Sequence, residues 1–465
     1  MGVKAWIRVA IPVAIVVGAA GYGAADAADV VPGWVTLAPI SRSPAPFPVA
    51  VDASALEAPA GPEALLSEHP APAPAAIQAL VDGFLTDGRL GTATGVSIVD
   101  LATGSVLASS SADVAYIPAS NVKLLTAAGA LAALGPDARL KTSVMWDGAG
   151  TLTIVAGGDM MLAEGYGHYG TKPWANGWAG LAELADEVTE GLEGASVASV
   201  ALSFDDSAFG APRVNPRWPV NSVKRGYAAP ITGLAVDVGW TGNEEYKRYD
   251  EPSLRAAELF AAALAERGIA VTSVSAGSAP SGAEEIGAVE GAPIFDVVGY
   301  MLTYSENTIA EVLARVVALD AGLTGSTADA TSAVLAAVSA YGLDTSGVVM
   351  ADGSGLDRAS RISARTLTSL LALLAADPVA GDILRDLPVA HLSGTLASRL
   401  TEGAGLVRAK TGTLNGASAL SGTIVTEDGA WLGFSIILNG IPNYATPALG
   451  AMDEFVASLA SCGCG

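Results

Sequence analysis

Ser120 and Lys123, within IPASNVKLLTAAGAL (117–131), are the pair whose types and spacing most directly suggest covalent chemistry. Positions three apart share a helix face, so a helix that starts at or just before Ser120 brings its hydroxyl to the Lys123 amine. A free hydroxyl is a weak nucleophile, and a lysine can take its proton only when neutral, whereas an unperturbed lysine titrates near ~10.4. Burial and a neighbouring cation must lower it; a shift of about three units corresponds to roughly 4 kcal/mol. Taken alone, Ser-x-x-Lys also describes the start of an Ala-rich helix. Two further stretches add the groups that pair lacks: YSEN (304–307) supplies Ser305 and Asn307, and RAKTGTLN (408–415) supplies Lys410, Thr411, Gly412 and Thr413. Each has a plainer reading by itself, Asn307 as a helix N-cap and Lys410 as the end of a strand.

Ser-x-x-Lys, Ser-x-Asn and Lys-Thr-Gly in that order form the signature of the penicillin-recognising serine enzymes. Among these the chain resembles the D-alanyl-D-alanine carboxypeptidase/endopeptidase family, the low-molecular-mass class C penicillin-binding proteins. That family carries large inserted domains between the first two motifs, and here a long stretch separates Lys123 from Ser305. AGGDMML with Asp159, DDSAFGAPRVNPRWP from Asp205, DGSGLDR from Asp352 and LSGTLASRL ahead of VRAKTGTL extend the likeness over roughly residues 75–460. The departures are AGGDMML in place of a GGGDP-like stretch, Glu306 at the variable middle of the second motif, and Asp357 where serine is frequent.

The resemblance implies a serine DD-peptidase acting on peptidoglycan stem peptides as a carboxypeptidase, an endopeptidase or both. Ser120 attacks the carbonyl of a D-Ala-D-Ala bond, Lys123 accepts its proton, and water later hydrolyses the ester acyl-enzyme. Ser305 relays a proton to the leaving amine, while Asn307 orients Lys123 and the substrate amide. Lys410 and Thr411, with Gly412 and Thr413 beside them, bind the substrate, and the N–H groups of Ser120 and Thr413 form the oxyanion hole. Asp159 is a further substrate-binding candidate, with a simple turn role after two glycines as its other reading. β-Lactams are implied as covalent inhibitors, because their strained amide and carboxylate mimic the same substrate end. Two alternatives stay open: a serine β-lactamase or esterase on this scaffold, set apart by fast deacylation, and a non-catalytic cell-wall-binding protein, set apart by a lost motif residue.

The elements that must hold these groups are partly legible. GVSIVDLATGSVLA (95–108) alternates about a turn and predicts a β-hairpin. A helix is predicted from Ser120 to Leu134, stopped by Gly135-Pro136, and another from Ser253 to Arg267, closed by Gly268. Ile309, Val312, Leu313, Val316 and Val317 fall at helical spacing. Strands are predicted around 407–410, 417–425 and 431–438, followed by a helix capped by Thr446. The fold class expected from the resemblance is α/β (α+β), a penicillin-binding/β-lactamase-like transpeptidase domain at 75–144 and 291–465. A large, mainly β inserted region at 145–290 interrupts it.

Composition narrows the function further. A net charge of −23 argues against nucleic acid, whose phosphates call for clustered lysine and arginine. No cofactor or metal is expected, since His69, His168 and His391 lie far apart without ligand spacing; His391 reads as structural. The two cysteines, Cys462 and Cys464, stand near the C-terminus as a disulfide, a free dithiol or an unimportant tail. Lys4 and Arg8 precede an apolar run from Val9 to about Ala25, and Ala25-Asp26-Ala27 resembles a small-x-small cleavage site. Residues 1–28 therefore read as a signal peptide or an uncleaved membrane tether of an exported protein. A Pro/Ala-rich linker follows at 29–74.

Overall fold

The computed structural model describes residues 73–463 apart from 173, 196, 243–246 and 443–445, together with Ala20 and Tyr22. The expected leader and nearly all of the linker, as well as Cys464, lie outside the described residues; Cys462 is disulfide-bonded. The chain runs through α1 (Pro74–Leu85) into β1 (Ala93–Asp100) and β2 (Val106–Ser110), which pair antiparallel as the expected hairpin. A short β3 (Ala115–Tyr116) leads to a 3₁₀ turn at Ala119–Asn121 and then to α2 (Val122–Leu134). α2 ends where Gly135 takes a positive φ of 86°, a conformation glycine adopts without a Cβ penalty.

The chain then leaves for a second sheet. β4 (Arg139–Trp146), β5 (Thr151–Val155), α3 (Leu181–Gly191), β6 (Ser199–Asp205), α4 (Pro252–Glu266), β7 (Ala270–Ala276) and β8 (Glu284–Pro293) follow in order. Their strands lie side by side as β7-β6-β5-β4-β8, with β5, β6 and β7 parallel and β4 antiparallel to both its neighbours. Parallel neighbours need crossovers, and α3 and α4 supply them. Both helices bury apolar stripes, including Leu184, Val188, Phe260 and Leu264, against Val144, Leu152, Ile154 and Leu202 of the sheet. The inserted region is thus a mixed sheet faced by two helices, more helical than its strand-rich sequence suggests.

The return through α5 (Ile294–Tyr304), α6 (Asn307–Asp320) and α7 (Thr327–Ala340) surrounds α2 with helices. β9 (Ile362–Ser363), α8 (Ala364–Ala376), β10 (Val407–Leu414), β11 (Ala417–Val425), β12 (Trp431–Asn439) and α9 (Thr446–Ala460) complete the order. The first sheet is antiparallel, β10-β11-β12-β1-β2, so strands from both ends of the sequence meet at β1–β12. One face is covered by α1 and α9, where Phe84 and Phe455 stack with centroids 4.5 Å apart. The other packs on α8 and the helical layer around α2. With both faces covered, β11 and β12 are buried along almost their whole length instead of alternating with exposed residues.

Candidate active site

Ser120 sits in the 3₁₀ turn that opens α2, preceded by Ala119 in the left-handed region at φ 48°. One turn on, Lys123 is fully buried, and its Nζ donates to Ser120 Oγ at 3.2 Å, Asn307 Oδ1 at 2.6 Å and the Ser354 carbonyl at 2.7 Å. Burial pulls its pKa from 10.5 down to about 8. The expected neighbouring cation is Lys410, whose charge and that of Lys123 repel, while the carboxylates of Asp352, Glu306 and Glu311 act on Lys123 in the opposite sense and favour the ammonium. Desolvation outweighs all three because every residue of α2 from Val122 to Leu131 is buried.

Ser305 and Asn307 occupy the corner between α5 and α6. Ser305 caps α5 in the left-handed region at φ 56°, and the chain turns extended at Glu306 before α6 begins. The N-cap is Glu306, whose Oε1 accepts the Thr308 N–H at 2.9 Å, so the reading of Asn307 as cap is displaced by one residue. That shift frees the Asn307 amide to accept a hydrogen bond from Lys123 at Oδ1 on one side and to donate from Nδ2 to the Tyr227 carbonyl at 2.7 Å on the other. The second Glu306 oxygen meets Arg248 at 2.7 Å in a buried ion pair, with the guanidinium 3.3 Å over the Trp240 ring. Tyr227, Trp240 and Arg248 of the inserted region therefore brace the second motif.

β10 is the free edge of the first sheet. The Ala409 N–H points away from β11 to the Pro388 carbonyl, so the two-residue period of a strand turns the N–H groups of Thr411 and Thr413 to that same outer edge. Gly412 lies against the turn: a Cβ there would stand 2.9 Å from Ser120 N and 3.0 Å from the Pro118 carbonyl oxygen. Only glycine lets the strand come this close to the nucleophile's N–H. Lys410, fully buried, donates to Ser305 Oγ at 2.8 Å and to the Thr411 carbonyl at 2.7 Å. Burial, reinforced by the charge of Lys123, holds its pKa well below the usual lysine value. Thr411 Oγ1 donates to Thr395 Oγ1 at 2.8 Å, within the LSGTL stretch.

Eight of the nine expected site residues thus lie together on the α2 turn, the α5–α6 corner and β10, and among the described residues Asp159 shares no hydrogen bond with them. It is buried (4% exposed), its Oδ1 accepts the Met161 N–H at 2.8 Å, and a Cβ on Gly291 would lie 2.5 Å from its Oδ2. Burial raises its pKa to about 6, and this placement supports the turn reading rather than a substrate contact. His391 makes no bond with the site residues; its ring lies 3.5 Å from Thr401 Oγ1. DGSGLDR, which reads first as a turn, contributes more than that. Asp352 is fully buried and accepts from Trp218 Nε1 at 2.8 Å, Gly355 N at 2.7 Å and Asp357 N at 2.7 Å, which aims the Ser354 carbonyl at Lys123. Asp357, the departure from the serine frequent there, forms an ion pair with Arg217 of the inserted region at 2.6 Å. Glu311 was not anticipated, although an acid at a core position one turn after Asn307 is itself a signal.

A serine and a buried, deprotonation-prone lysine, faced by a second buried lysine on an edge strand, define a serine acyl-transfer enzyme of the penicillin-binding type. The chain matches the model of the D-Ala-D-Ala carboxypeptidase 3 (S13) family over residues 77–248 and 240–459, and it belongs to that family of serine-type DD-peptidases. It is 34% identical to a protein named carboxypeptidase DacB of Mycolicibacterium smegmatis, over 98% of this chain and 96% of that one. It is 28% identical to a D-alanyl-D-alanine carboxypeptidase of Actinomadura, over 81% and 83% of the two chains. In fold it is similar to the crystal structure of penicillin-binding protein 4 of Haemophilus influenzae, with a TM-score of 0.68 at 19% identity, covering 83% of this chain and 99% of that one.

Proposed function

We propose that this DD-peptidase cleaves the D-Ala-D-Ala end of peptidoglycan stem peptides with Ser120 as nucleophile and Lys123 as its base. The observation that carries this is the set of three bonds that Lys123 makes, to Ser120 Oγ, Asn307 Oδ1 and the Ser354 carbonyl, in a site that lowers its pKa to about 8. Ser120 Oγ attacks the scissile carbonyl as its proton passes to Lys123. The N–H groups of Ser120 and Thr413 hold the oxyanion, a contribution worth about 3–4 kcal/mol per donor in comparable sites. As the C–N bond breaks, Ser305 passes a proton to the leaving D-alanine amine, fed by Lys410, which already donates to it. Lys410 and Thr411 bind the terminal carboxylate, and a carboxylate arriving there would favour the charged form of Lys410. Water then hydrolyses the ester.

The same site accounts for covalent inhibition by β-lactams, a class found bound in a solved structure of the Haemophilus relative. Incubation with a D-Ala-D-Ala pentapeptide tests the activity: D-alanine is released by the wild type and not by Ser120→Ala. Retained release in that variant would sink the assignment. The basic start, apolar run and Ala25-Asp26-Ala27 of the N-terminus support export, with the segment removed or kept as a membrane tether. Cell fractionation with N-terminal sequencing tests this, and a cytoplasmic, full-length protein would refute it.

A further inference from the structure

Asn307 and Glu311 stand one turn apart on α6, positions that share a helix face. Asn307 touches Lys123 directly. Glu311 reaches it through the Ser354 residue: its Oε1 accepts the Ser354 N–H, of the Gly353–Ser354 peptide, at 2.8 Å, and the carbonyl of the next peptide, that of Ser354, accepts from Lys123 Nζ at 2.7 Å. We propose that Glu311 is a positioning residue for acylation, an acceptor that fixes the Gly353–Ser354 peptide while Asp352 fixes the next one, so that Ser354 is held from both sides with its carbonyl on one Lys123 hydrogen and the amine's remaining lone-pair direction facing Ser120.

The loop it holds has little room to find this pose by another route. Gly353 passes so close to α6 that a Cβ would lie 2.8 Å from the Ala310 carbonyl oxygen, and Gly355, at φ 84°, would place one 2.0 Å from that of Ala119. Thr126 Oγ1, from the turn of α2 after Lys123, donates to the Gly353 carbonyl at 2.7 Å. Asp352 holds the peptide that carries the Ser354 carbonyl through the Gly355 N–H and ties the loop back through Asp357, while the preceding peptide is held at the Ser354 N–H by Glu311. Glu311 is 2% exposed, with the buried Arg315 guanidinium one turn on acting on its charge. Burial, with the Asp352 charge nearby, pushes its pKa up against the Arg315 guanidinium, and glutamine keeps the shape and one acceptor oxygen of the side chain in either protonation state. A carboxylate retained only for bulk would tolerate an isosteric apolar residue. One retained as acceptor would not.

This rests on the Ser120–Lys123 reading, and the test separates the two. The full chain and its Glu311→Gln, Glu311→Met, Glu311→Ala and Ser120→Ala variants are titrated with a fluorescent penicillin to give the reactive fraction. Rapid mixing then gives the limiting acylation rate and the half-saturating concentration separately. Glu311→Met and Glu311→Ala should label to full stoichiometry with an acylation rate lowered about tenfold to a hundredfold and unchanged half-saturation, as for the loss of one buried acceptor. Glu311→Gln should stay within about threefold of wild type. The methionine variant keeps the volume filled and carries the test if the alanine variant does not fold. A methionine variant as fast as wild type, or a glutamine variant as slow as methionine, overturns the proposal. Labelling of Ser120→Ala would instead overturn the reading beneath it.

Discussion

The pH dependence of acylation is the most direct consequence of the buried lysine. Burial moves Lys123 from 10.5 to about 8 against three opposing carboxylates, a net shift equivalent to about 3 kcal/mol. At pH 7 about one molecule in ten then carries a neutral base, against roughly one in three thousand for an unshifted lysine. The second-order constant for acylation by a fluorescent penicillin, measured by rapid mixing from pH 6 to 9, should climb about tenfold per unit below the transition and level off near pH 8. Any decline at higher pH would report loss of the Lys410 charge that receives the penicillin carboxylate, since its pKa is also lowered. A constant that stays flat between pH 6 and 8, or that is still rising tenfold per unit at pH 9, would refute the claim that a desolvated Lys123 is the base.

The same shift has a price in stability. Because the folded-state pKa lies below the unfolded one, the unfolded chain binds the extra proton between about 8 and 10.5, and stability rises with pH across that window. Lys123→Met should abolish labelling and flatten this slope, so that urea unfolding at pH 8 and 9.5 shows the gap to wild type changing by about 2 kcal/mol; an unchanged gap would argue against the buried amine. Gly412→Ala should lower acylation about a hundredfold with the fold intact, because the new methyl would press on the Ser120 N–H from an edge strand; unaltered acylation would show that the strand can yield. Arg248→Met leaves Glu306 charged and unpaired beneath the second motif, so unfolding should come about 3–5 kcal/mol earlier; an unaffected midpoint would mean that water reaches the pair.

Much of the chemistry could be read locally. Ser120 and Lys123 share a turn, Ser305 and Asn307 flank one corner, and Lys410 to Thr413 form one strand end, so short-range spacing carries their relation. The first hairpin, α2, α4, α6 and the closing strands follow from periodicity and from Gly and Pro stops. α3 has the same kind of signal in Leu181, Leu184, Ala185 and Val188, but it lies among turns rich in Gly and Trp that mask it. What spacing cannot supply is the sign and source of the field at Lys123. Asp352 reaches it from one stretch and Glu306 and Glu311 from another, and only packing brings both to Lys123.

The sequence by itself determined the order of the three motifs, the residue types that can attack, relay and bind, and the existence of a long insertion between the first and second. The tertiary structure decided which of those residues meet. It brought Lys410 to Ser305, set Gly412 against the nucleophile's N–H, moved the helix cap from Asn307 to Glu306 and left Asp159 buried elsewhere. The physical reason is range: helix and strand periods fix neighbours within a few residues, whereas desolvation, ion pairing and close backbone approach depend on which distant segments share a core.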